Sequence, residues 1–484
     1  MNLTRQRNSD IMLVLFLIGS ACGVHLFSSG IIASLYILFV CIALFKTKNI
    51  FPYLALTIFI AGSPSNFMFI KDFEIIPYVP FIMAVSLTLT LKYWSFRKMI
   101  INIYRYKKAL ELFIGFALLL LIIGLVFGIT GDSNTGFGLM NYILIIRFFF
   151  LLPLIVLIPF LINSTKQALR LLPLLETIIL VNIAFQLFYL FSGLHINELF
   201  GADNASVIGL SETFSGQQEI NGRATTGWLY PLIYIPLLLV LKLFKEVSSL
   251  RFFVWINIAI FSISLTGSRG YLLAILILTI IPYYYLTTRK TFFITIIMLF
   301  LGFIFIPVIG EFSIIRGRVN LYSERFFGSE YSSSGNSTEI LGVRASLGET
   351  VLEKLKESPF IGFGFSADGI KYYDQHTGNH SIALAGGLVG LFFYSGLLFY
   401  ILNIAFKSSI GSNKLFLIKG LLLLSFFFIH STSTDLFSPY FSFETYHYNK
   451  FILIAFFFTV LSTDREGFFT KNIINKHELR KRIH

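Results

Sequence analysis

One histidine and four arginines are the residues of this sequence best suited to do chemistry. His380 stands where the polar stretch IGFGFSADGIKYYDQHTGN gives way to an apolar run. About twenty-five mostly apolar residues follow, enough to cross a bilayer, so the imidazole is placed at a membrane–water boundary. An imidazole titrates near neutrality and both takes and gives a proton. A histidine at a membrane boundary beside a long loop is therefore a candidate general base. The plainer alternative is that it anchors or caps its helix.

The arginines suggest what such a base would work with. Arg147 lies inside an apolar run that begins near Leu139. At 1.5 Å per residue it sits about 12 Å below the boundary, where facing lipid costs roughly 2.5–3.5 kcal/mol. An inward orientation toward a polar cavity is more economical; a structural ion pair is the alternative, with Glu176 the nearest intramembrane acid. Arg223, in QQEINGRATTGWLYP, and Arg269, in LTGSRGYLL, fall at the same boundary as His380. A guanidinium is always charged and grips two phosphate oxygens at once, so this set suits a pyrophosphate headgroup better than lysines would. Arg344 is a fourth candidate; headgroup anchoring is the alternative role for all but Arg147. No D-x-D, P-loop or G-x-S-x-G motif occurs, and His376 and His380 lack convincing zinc-site flanks. Metal-free chemistry without a cofactor is the simpler expectation.

These residues must be held by a membrane-spanning bundle. Of 484 residues, 56% are hydrophobic and 13% charged, which excludes an ordinary soluble domain. The net charge of +13 does not signal nucleic acid, because the basic residues are sorted by membrane side. Apolar runs predict an all-α integral membrane protein with about 12–14 transmembrane helices. Their approximate positions are 11–27, 30–45, 50–63, 75–92, 109–129, 139–162, 171–193, 228–244, 251–267, 270–287, 291–309, 380–404, 415–432 and 450–462. The third and last are short. Alternate connections hold more than twice as many Lys and Arg as the other, longer set, which predicts both termini in the cytoplasm. The first run is read as an uncleaved helix, since no clear A-x-A site follows it. Cys22 and Cys41 fall in separate apolar runs and are expected to remain unpaired.

This topology divides the chain into a first part of the bundle over 1–310 with an outer loop at 195–227, an extracytoplasmic loop or lid over 311–379, a last part over 380–462, and a basic tail over 463–484. Within the long loop, Val343, Leu347, Val351 and Leu355 recur every four residues, the pattern of an amphipathic helix. That helix is expected to rest on the outer leaflet or on the bundle. Tyr372 and Tyr373 are plausible stacking surfaces for sugars.

Read together, Arg344, the amphipathic helix, SPFIGFGF (358–365) and NHSIALAGGLVGLFFY (379–394) resemble the signature of the O-antigen ligase and Wzy polymerase family of bacterial membrane glycan enzymes. LTGSRGYLLAIL (265–276) resembles the family's S-R-G-x-L-L motif, and NGRATTGWLYP (221–231) its outer arginine before a Pro-containing helix. The resemblance covers roughly Asn221 to Tyr394 and departs from the pattern at Ser381, where Asn is usual. It implies a metal-independent, inverting glycosyl transfer at the outer face of the bacterial cytoplasmic membrane. The donor would be an oligosaccharide on undecaprenyl pyrophosphate. His380 would act on the acceptor hydroxyl, and Arg223 and Arg269, with Arg147, would stabilise the departing pyrophosphate. Polymerase activity is expected, with membrane lipids and a chain-length regulator as further partners and no nucleic acid; a ligase transferring to lipid A core or protein is the alternative. A lipid-linked oligosaccharide flippase is the rival of another class. It would show internal symmetry and charges spread through many spans, unlike arginines gathered at one face.

Overall fold

The computed structural model describes residues 3–27, 30–62, 78–93, 108, 111–112, 114–123, 149–192, 227–266, 269–286, 350–364, 366, 372, 378–432, 436 and 449–463. Among these, regular structure is entirely helical. The helices are α1 (Leu3–Phe27), α2 (Gly30–Lys46), α3 (Phe51–Gly62), α4 (Tyr78–Tyr93), α5 (Leu154–Leu161), α6 (Thr165–Ser192), α7 (Leu229–Leu243), α8 (Ser249–Leu265), α9 (Arg269–Leu286), α10 (Gly378–Ser409), α11 (Asn413–Thr432) and α12 (Asn449–Leu461). A further apolar helix spans Ile114–Ile123.

Four described segments, Gln6–Val24, Thr165–Phe188, Gly378–Ser409 and Asn413–Thr432, are long and apolar enough to cross a membrane. The outer surface fits that setting. Phe392, Phe399 and Phe406 recur every two turns of α10 and are 77%, 72% and 62% exposed, a stripe that lipid would cover favourably. Among the described residues the protein is all-helical, with four helices of the length and apolarity that suit a membrane protein.

The core is built around α7. Every residue from Leu229 to Leu241 is buried, enclosed by α3, α6, α8, α9, α11 and α12. A helix that is apolar all round has no face to give to water and belongs in the interior. The same holds for α3, buried along its whole length. Its shortness in the sequence thus reflects enclosure by protein. Tyr230 ties the two together: its hydroxyl donates to the Phe59 carbonyl at 2.6 Å, and its ring stacks on that of Phe59.

Two interruptions were not visible in the apolar runs. The run expected over 139–162 breaks at Leu152 and Pro153, because proline has no N–H to offer the ladder. The run expected over 380–404 is bent within α10 at Gly387, whose φ of 57° and ψ of −149° are not helical.

Candidate functional site

Five contacts place the start of α10 at one end of the bundle. The rings of Trp228 and Tyr271 stack at 4.4 Å, joining the starts of α7 and α9. The Gly227 N–H donates to the Gly62 carbonyl at 2.8 Å, adding the end of α3. Ser425 Oγ donates to the Ala274 carbonyl at 2.9 Å, setting the second half of α11 against the first half of α9. Gly378 abuts His430, and Asn379 Nδ2 donates to Ser431 Oγ at 3.0 Å, so the end of α11 meets the start of α10. Arg269, first residue of α9, and His380, in the first turn of α10, therefore belong to the same end.

His380 is half-buried there. Its turn is seated on a second histidine that the sequence did not single out. His430 is wholly buried; its Nδ1 accepts the Leu436 N–H at 3.1 Å, and its ring packs beside Tyr394. For Arg269 the backbone is described and the side chain is not. Arg147, Arg223 and Arg344 lie outside the described residues, as do His376 and Tyr373.

Below His380, α10 is broken by the segment Ser358–Gly364. The Phe363 N–H donates to the Leu384 carbonyl at 2.9 Å and the Gly364 N–H to the Ala385 carbonyl at 2.8 Å. In return the Leu388 N–H donates to the Pro359 carbonyl at 3.0 Å and the Val389 N–H to the Phe360 carbonyl at 3.1 Å. Non-helical backbone at membrane depth survives only where its polar groups are paired, and these four bonds do that. The approach demands glycine on both sides. A Cβ on Gly362, at φ of 64°, would lie 2.5 Å from the Leu384 carbonyl oxygen, and one on Gly387 would lie 2.4 Å from the Phe360 carbonyl carbon. The SPFIGFGF segment and the helix opened by His380 are thus interlocked.

The segment also gathers a small apolar cluster. Val351, in the helical residues 350–355, is buried with Phe363 and Leu384, and Tyr372 packs against them. Lys354 Nζ lies 4.9 Å from the Phe363 ring centre and 5.4 Å from that of Tyr372, close enough for cation–π attraction to both. Tyr372 is therefore already in contact with a cation. On the other side of the break, the Phe116 ring fills the space over Gly386 and Gly390.

Glu176, read from the sequence as the intramembrane acid nearest Arg147, is held by Arg251 and Tyr234. It accepts from Arg251 Nη2 at 2.8 Å and Nε at 3.0 Å, and from the Tyr234 hydroxyl at 2.9 Å. Nothing in the sequence pattern linked residues so far apart. Among the described residues, no three His, Cys, Asp or Glu side chains converge as a metal-ligand set. The chain matches no family model, no curated protein and no solved structure.

Proposed function

We propose that this protein is a membrane-embedded, metal-independent glycosyltransferase of the O-antigen polymerase type. It would transfer an undecaprenyl-pyrophosphate-linked glycan onto a new lipid-linked repeat unit at the outer face of the bacterial cytoplasmic membrane. The observation that carries this reading is the interlock between the P-x-x-G-x-G segment and the His380 helix. These are two of the pieces through which the sequence resembles that family, and each depends sterically on the other. Arg269 opens a helix at the same end, which supports assigning it as a cation for the leaving group.

In this scheme His380 takes the proton of the acceptor hydroxyl as its oxygen bonds to the anomeric carbon of the donor. The bond from that carbon to the pyrophosphate oxygen breaks on the opposite face, inverting the configuration. Charge grows on the leaving pyrophosphate, and Arg223 and Arg269, with Arg147 and Arg344, would stabilise it; fixed cations in a poorly hydrated site do this better than reorienting water. The test is genetic. Cells carrying His380→Ala or Arg269→Ala, with the protein at wild-type level, are expected to lose long glycan chains while retaining lipid-linked single repeats. Unchanged glycan ladders would reject the assignment. Loss of glycan from lipid A core with free long chains retained would reassign the protein as a ligase.

A further inference from the structure

The segment that breaks α10 takes the place of two of that helix's own hydrogen bonds. In an unbroken helix Leu388 N–H would donate to the Leu384 carbonyl, and Val389 N–H to the Ala385 carbonyl, each four residues back. Those are the same four groups that now bond Ser358–Gly364. If the segment withdraws, they face an apolar setting in which unpaired backbone groups are costly, and closure of α10 on itself satisfies all four at once. Gly387 is the residue at which the two arrangements differ, and a glycine is free to take either backbone conformation. The segment's hold is modest: Phe363 is buried, whereas Phe360 and Ile361 face outward.

We propose that α10 is a two-state element, broken at Gly387 while Ser358–Gly364 is docked and continuous once it withdraws. The half of α10 above Gly387 carries His380, so the exchange moves the histidine's turn. Because Val351 packs on Phe363 and Leu384, helical residues 350–355 move with the segment, and the outer helix becomes geared to that turn. The inference concerns the fold and goes beyond the glycosyltransferase reading, whose failure would leave it standing.

The test uses purified full-length protein with Cys22→Ala and Cys41→Ala, in lipid nanodiscs. Ile361→Cys and Leu388→Cys, at positions 42% and 56% exposed, report docking through a short bis-thiol cross-linker. With both glycines intact, cross-linking is expected to be efficient. Gly362→Ala or Gly387→Ala should lower the yield at least tenfold. Spin labels on Asn379→Cys and Phe406→Cys then read the helix itself: release should lengthen their separation toward the ~40 Å spanned by 27 residues of continuous helix. Should either alanine prevent folding, Phe363→Ala loosens the segment without a clash and is read in the same two ways. Full cross-linking in the released variants, or a label distance that stays at the wild-type value after docking is lost, would overturn the proposal.

Discussion

At the end of the bundle where α8 and α11 begin, charged side chains do the fastening, whereas among the described residues at the end where α10 begins the joints are mostly backbone, glycine and aromatic. Arg251 grips Glu176 bidentately under the Tyr234 hydroxyl. Nearby Arg170 pairs with Asp10, which also accepts from Asn49. Lys419, 1% exposed, donates to Ser408 Oγ and the Thr463 carbonyl, pinning the last turn of α10 and the residues just after α12 to the second turn of α11. Ionisable groups inside a membrane are tolerated when paired in this way, and breaking such a pair strands a charge. At the His380 end, four backbone bonds around Gly387 and the Trp228–Tyr271 stack carry the load. The backbone groups at this end, unlike the paired charges at the other, have alternative partners within α10 itself.

The contrast is sharpest if chemistry and stability separate between the two ends. His380→Ala should cut glycan transfer by roughly 10²–10⁴-fold, the usual contribution of a general base, with the unfolding midpoint unchanged. A matching loss of stability would make the residue structural. Glu176→Gln should do the reverse, costing about 3 kcal/mol in detergent unfolding by leaving Arg251 with no carboxylate, while transfer by the folded fraction stays at wild-type rate. Replacing both partners, Glu176→Leu with Arg251→Met, should recover all but about 1 kcal/mol, since an apolar pair leaves no stranded charge. The smallest effect is expected from Tyr234→Phe, about 1 kcal/mol for one hydrogen bond to a charged group that keeps its other partners.

Much of this architecture was legible in the sequence because membrane helices announce themselves by length and hydropathy. The runs read at 30–45, 228–244 and 415–432 match α2, α7 and α11 within a few residues. Hydropathy says nothing about what a helix packs on, so the short runs that became α3 and α12 looked like marginal spans when they are enclosed core. The break at Gly387 was hidden for a related reason. A Gly-Gly pair within an apolar run has the same hydropathy whether the helix continues or not, and only the Ser358–Gly364 segment decides it. The Gly362 and Gly364 spacing was a usable signal, since both residues take positive φ to bring the segment's N–H groups onto α10. His380 was legible as a residue at a helix start. The burial of His430 beneath it depends on a contact between helices that no local pattern encodes.

The central claim is that the His380 end of this bundle joins sugars taken from a polyprenyl pyrophosphate. Purified protein in nanodiscs, given a single undecaprenyl-pyrophosphate-linked repeat unit with EDTA present, tests it most directly. The account predicts products of two or more repeats, with one undecaprenyl pyrophosphate released for each new linkage. Monodisperse, folded protein that leaves the single repeats unextended under these conditions, or extends them only when a divalent metal is restored, would contradict it.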